Sequence, residues 1–222
     1  MASRKTTFIQ TISCNTEWLP SVLAHHKRMF FLNKPSPDWI RAFLSPAGNR
    51  QFSYPHVGAS QKLPPSGYIV DHYRVQLGAG HEVFYRAVNA VRQWKMFDMP
   101  WVELCWPDAS IEEGTAVAVL LSHLGFWSLN PCRIVYVIQE HQECEKFGFA
   151  YGTLLGHEEQ GEERFTVEFH SGDQSVWYDL YAFSRPNFMA CLGYPLARTL
   201  QKRFARDSKT AMQRAVTEPT GG

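Results

Sequence analysis

His157, Glu158, Glu159, Glu162 and Glu163 fall within one short stretch of this chain. An imidazole beside several carboxylates can relay protons or hold a cation. Gly156 and Gly161 bracket the start of the set and place it on a turn, where the ordinary fate of charge is solvation. Glu162 and Glu163 could equally bond to nearby backbone or pair with Arg164 or Arg185. His157, Glu162 and Glu163 are the candidates for proton transfer, and no metal is expected.

A second group of polar side chains reads as ligand contacts. Arg74 lies in an alternating segment, and if it faces inward it must be paired or must anchor an acidic ligand group. Asp71, three residues away, points to the opposite face of an ideal strand. Tyr54, His56 and Tyr68 are polar-tipped rings near a loop that could form a cavity mouth. Tyr151 and Thr153 precede the Gly156 turn, and Arg185 ends the last strand. Gly152 between Tyr151 and Thr153 marks a bulge or a close approach of another group. Ser184 lacks the context of a hydrolase nucleophile. LGAG at 77–80 is not a dinucleotide fingerprint, and no Walker loop is present, so no cofactor is expected.

Twenty-two basic and 21 acidic residues leave a net charge of +1, which gives no reason to expect nucleic acid as partner. The local run Arg198, Lys202, Arg203, Arg206, Lys209 reads first as a solvated helix face. Peripheral contact with anionic lipid is the sharper reading. Five cysteines without CxxC spacing argue against a disulfide framework or structural zinc and for a reducing, cytoplasmic compartment. The N-terminus lacks the apolar core of a secretory signal, and no apolar run reaches the length of a spanning helix.

The elements that must position these groups follow from periodicity. The spacing predicts a first helix over 17–32, a break at 33–37, and an apolar segment over 39–44. A loop-dominated crossing follows, then a strand over 68–77 and an amphipathic helix over 81–97. Strands follow at 101–106, 115–124, 132–139, 147–155, 164–170 and 175–183, with Gly114, Asn130-Pro131, Gly156 and Gly161 read as turns. Phe188, Leu192, Leu196, Leu200 and Phe204 recur every four residues in a long C-terminal helix, with Pro195 near a first turn. Short links force antiparallel pairing. The expected fold class is α+β, a helix grip: a curved antiparallel sheet of about six strands wrapped on the C-terminal helix. The expected organisation is an N-terminal helical extension over 1–50, the helix-grip domain over 51–216 and a disordered tail over 217–222.

YPHVGAS at 54–60, PPSGY at 64–68, LGAG at 77–80, NPCRIVYV at 130–137, FAYGTLLGHEEQGEERF at 149–165, FSRP at 183–186 and LGYPLARTLQKRFARDS at 192–208 occur in this order in one family. Over about residues 50–216 the chain resembles the domain-of-unknown-function family nineteen-ninety. That resemblance implies the START-like, birch-pollen-allergen-like helix-grip superfamily. The family also includes a plant chloroplast outer-envelope pore protein. The expected function is binding of a hydrophobic or amphipathic small molecule between sheet and C-terminal helix. The alternatives are a cyclase or isomerase acting on a polyketide- or terpenoid-like metabolite, and a membrane-associated pore.

Overall fold

Alternating side chains between close turns build one antiparallel sheet. The structure is a computed structural model that describes residues 30–45, 50–62, 66–186 and 194–217. Its strands are β1 (Phe30–Phe31), β2 (Ile69–Ala79), β3 (Val102–Cys105), β4 (Ala116–His123), β5 (Phe126–His141), β6 (Cys144–Thr153), β7 (Glu159–His170) and β8 (Ser175–Pro186). The helices are α1 (Pro37–Leu44), α2 (His81–Arg92) and α3 (Tyr194–Thr217). The spatial order is β2-β8-β7-β6-β5-β4-β3, with β1 paired to β5. The α+β helix-grip expectation holds, with eight strands among the described residues rather than about six.

Register sorts the side chains. Asp71, Ala182, Glu163 and Tyr151 form one row across β2, β8, β7 and β6, and Tyr73, Leu180, Phe165 and Phe149 form the next. This face carries the core. Phe149, Phe165, Val167 and Tyr178 are fully buried and pack with Phe84 and Val91 of α2 and Phe204 and Met212 of α3. The opposite face is covered in part by α1, whose Ile40 and Phe43 pack with Leu120 and Leu129. Ser36 caps α1 by accepting from the Trp39 N–H at 3.2 Å.

Several elements differ from expectation for identifiable reasons. Asn130-Pro131 is not a turn but the interior of β5. Ile134 bonds on the β4 side through Thr115 O and Gly114 N. By alternation the Pro131 nitrogen faces the β6 side, beyond the Cys132–Thr153 pair where that ladder ends, so no ladder bond is lost. β7 begins at Glu159, because the turn is confined to 155–158 and Gly161 lies inside the strand. Helix α2 stops at Arg92, since Trp94 adopts a left-handed backbone (φ 56°) and its indole donates to Ala109 O at 2.9 Å. Phe30–Phe31, read as the end of a helix, pair with Trp127 and Ser128 as a strand, Leu32 follows in a bend, and the part of that helix over 17–29 lies outside the described residues. Helix α3 starts at Tyr194, which puts Pro195 in its first turn, and Phe188 and Leu192 lie outside the described residues.

Gly152 is in register with Arg133 and Glu162, so it is no bulge; the β5–β6 register shift lies between Ile134 and Tyr136. The close approach is by a side chain. A Cβ at Gly152 would sit 2.1 Å from the Tyr54 hydroxyl. Gly152→Ala is therefore expected to push the 50–62 segment off the sheet and destabilise the fold by about 1–3 kcal/mol in chemical denaturation. Unchanged stability would show that Tyr54 is not pinned there.

Candidate functional site

The strand row Asp71–Ala182–Glu163–Tyr151 ends below helix α3, and there the sheet and helix do not close. A cavity of about 150 Å³ remains. Its apolar wall includes Trp101, Leu121, Leu180, Leu200 and Phe204. Its polar wall includes His157, Glu158, Glu159, Glu163, Asn130 and Tyr151. The acidic stretch therefore does not end on a solvated turn. The 155–158 turn folds back over the mouth of the grip, and β7 then carries Glu159 and Glu163 along the inner face.

Neighbouring strands explain the contacts. Tyr151 stands directly opposite Glu163 and its hydroxyl donates to Glu163 Oε2 at 2.7 Å. Burial pushes the Glu163 carboxyl up to about 7; the Tyr151 hydrogen bond opposes the shift, and Glu159 and Asp71 add to it. Glu159 accepts from Gln201 Nε2 at 2.6 Å, and burial raises its pKa as well. Burial likewise raises Glu158, against a hydrogen bond from Ser128, and its Oε1 has no partner. The Glu159 N–H donates to His157 Nδ1 at 2.9 Å, which suits a neutral ring with its proton on Nε2. Burial lowers His157 to about 4. These groups are enclosed by protein, yet His157, Glu158, Glu159 and Glu163 keep partial exposure because they face the cavity.

Helix α3 is fastened on both sides of this space. Arg198 Nη2 donates to Asp71 Oδ1 at 2.9 Å, which holds the Asp71 carboxyl below its usual range. Tyr178 and Ser208 hydroxyls bond at 2.8 Å inside the core, and the Trp101 indole donates to Asp207 at 2.9 Å. The basic run is largely engaged within the fold: Arg203 and Arg206 pair with Asp207, and Lys209 lies over the Tyr73 ring.

Of the residues singled out from the sequence, Tyr151, Thr153, His157, Glu158, Glu159 and Glu163 meet at the cavity, and Glu162 borders it with its carboxylate turned away toward Tyr54. The others serve the outer face. The Glu162 carboxylate accepts from the Tyr54 hydroxyl at 2.7 Å and the Ser60 N–H at 3.0 Å, and also from the Gly58 N–H and the Ser60 hydroxyl. It ties the 50–62 strap to the sheet and has no free acceptor position for proton transfer. Tyr54 is buried against Phe183 rather than at a mouth, and burial and Glu162 both raise its pKa. Tyr68 packs on Phe183 with His56 beside it, and Arg185 lies over the Tyr68 ring. Arg74 points outward, where its Nε is 3.2 Å from Asp179 and its Nη2 bonds Glu168. Strand parity makes it a structural ion-pair partner and not a ligand anchor.

Sequence reasoning misses Asn130 and Gln201. Asn130 is 3% exposed and its Oδ1 has no partner. It shares the inner face with Cys132 and Ile134, a parity visible in sequence once β5 is allowed to run through Pro131. Gln201 follows Leu200 on α3, and no pattern distinguishes it from a solvent-facing helix polar residue.

A curved sheet gripping a C-terminal helix around a partly polar cavity defines a helix-grip protein with room for a small guest. Within that class the chain belongs to the family described as Domain of unknown function (DUF1990), whose model matches residues 53–211. It is 36% identical over 207 residues to a UPF0548 protein of Dictyostelium discoideum, covering 85% of this chain and 96% of the relative. It is 31% identical over 205 residues to a UPF0548 protein of Arabidopsis thaliana, covering 85% and 98%. Among solved structures it is similar to Ara h 8.0201 (12% identity, 68% of this chain and 98% of that one, TM-score 0.44). It is also similar to norcoclaurine synthase from Thalictrum flavum in complex with dopamine and hydroxybenzaldehyde (15%, 73% and 99%, TM-score 0.43). No helix among the described residues is long and apolar enough to cross a membrane.

Proposed function

We propose that this protein binds a small amphipathic molecule in the cavity between the sheet and helix α3. The observation that supports it is the cavity itself, with one apolar wall and one wall of polar groups that the fold leaves incompletely bonded. Apolar burial would supply affinity and the polar wall orientation. An engineered dry cavity of about 150 Å³ accepts benzene, so a guest built on a single ring is the right scale.

The test is native mass spectrometry of freshly purified protein, beside titration with single-ring compounds. Ala182 sits in the cavity floor between Asp71 and Glu163. Ala182→Phe should fill the space, lower affinity at least about tenfold and leave the fold intact by circular dichroism. If the filled variant binds as the wild type does, the guest sits elsewhere and the reading fails.

A second reading, proton-transfer chemistry on the bound guest, rests on Glu163. Its carboxyl titrates near neutrality, faces the cavity and is oriented by Tyr151. A cyclase or isomerase would need such a group. Turnover that survives Glu163→Gln would remove this reading.

A further inference from the structure

We infer that the head group received by the cavity is a protonated amine, carried on an apolar body of about one ring; this rests on the reading of the cavity as a ligand site. Acidic side chains dominate its charged lining, and no Lys or Arg among the described residues lines it. Asp71 is neutralised by Arg198 and the Glu162 carboxylate is turned to the outer face. Glu158, Glu159 and Glu163 remain; the Arg198 charge reaches Glu159, whereas no cation is seen beside Glu158 or Glu163 among the described residues. Carboxyls in such a place either hold a proton or meet a cation.

A second, independent observation concerns hydrogen-bonding sense. Asn130 is almost wholly buried, lines the cavity and leaves Oδ1 without a donor, and Glu158 Oε1 is equally without one. The Tyr151 hydroxyl and the Gln201 amide are already directed at Glu163 and Glu159, which leaves the His157 Nε2–H as one donor against these acceptors. The polar wall is thus a surplus of acceptors. An anionic head would be repelled, a hydroxyl offers one donor, and an ammonium offers three donors with a positive charge. Trp101, Leu180 and Phe204 are left to cover the ring.

The titratable groups around the head come from each packed element: Asp71 on β2, Tyr151 on β6, Glu159 and Glu163 on β7, His157 and Glu158 on the turn, and Arg198 on α3. The test uses the full chain and isothermal titration with three matched probes: phenethylamine, phenethyl alcohol and phenylacetate. At about pH 8, where the acids are most ionised, the amine is expected to bind at least about tenfold tighter than the alcohol. Phenylacetate is expected to bind weakest. Glu163→Gln and Glu158→Gln together should bring amine and alcohol to nearly equal affinity. If the alcohol or the acid binds wild type as well as the amine does, the amine inference falls and the cavity reading stands. The amine inference falls equally if the preference survives both substitutions. If none of the three binds, both fall.

Discussion

Glu162→Ala should be among the most destabilising single substitutions in this chain, lowering unfolding free energy by about 3–5 kcal/mol. The carboxylate accepts from four donors of the 50–62 strap, and Tyr54 and Ser60 are nearly inaccessible to water. Removing the acceptor leaves several of those donors buried and unpaired, which costs more than the bonds themselves contribute. Arg164, which donates to Ser60 O at 2.9 Å, would lose the strap it holds from the other side. Glu162→Gln keeps the size but turns an amide NH₂ toward donors, so an intermediate loss of about 2 kcal/mol is expected. Urea denaturation gives the totals, and hydrogen exchange at the Gly58 and Ser60 amides gives the location. Full stability with retained protection would return Glu162 to the groups free for chemistry.

Glu163→Gln should do the reverse, and only at high pH. The Glu163 carboxyl lies at about 7 in the fold against about 4.5 outside it. A raised acid pKa means that the folded state holds the proton more tightly. Its contribution to stability is therefore complete below about pH 4.5 and is lost as pH rises through about 7. Glutamine mimics the protonated form throughout. The variant should match wild type near the lower limit and exceed it by about 2–3 kcal/mol at about pH 8, a figure reduced for the water that the cavity admits. His157, lowered to about 4, acts oppositely: its contribution is present above about 6.5 and is lost as pH falls toward 4. Between those limits the His157 gain offsets only part of the Glu163 loss, and Glu158 and Glu159, raised by burial as well, add to that loss as pH rises. Denaturation curves across the pH range check this. A pH-independent difference between variant and wild type would place Glu163 in water.

Most of the architecture could be read from residue order. Four-residue apolar steps marked α3, and alternation with short links forced the antiparallel sheet and hence the grip. What could not be read was which face each polar residue takes when a strand boundary is uncertain. Starting β7 at Arg164 left Glu162 and Glu163 together on a turn; starting it at Glu159 sends them to opposite faces, one to the strap and one to the cavity. Arg74 and Asp71 divide in the same way, and there the parity argument had already assigned Asp71 a face opposite to Arg74. Pro131 hid Asn130, because its tolerance depends on where the neighbouring ladder ends, which is a fact about β6 and not about β5. Tyr54 shows a further limit. Its contact at Gly152 spans nearly a hundred residues of chain, and no local pattern announces it.

The element that closes the grip, α3, follows every strand in chain order. While the ribosome is still working, only α2 and the segment after it cover the inner face of Phe149, Phe165, Val167 and Tyr178, and the part that Phe204 and Met212 will seal stands open as a sticky trough. The nascent protein should therefore depend on chaperone shelter until its last helix emerges, and shortening that helix should send the chain into aggregates instead of yielding a merely weaker fold.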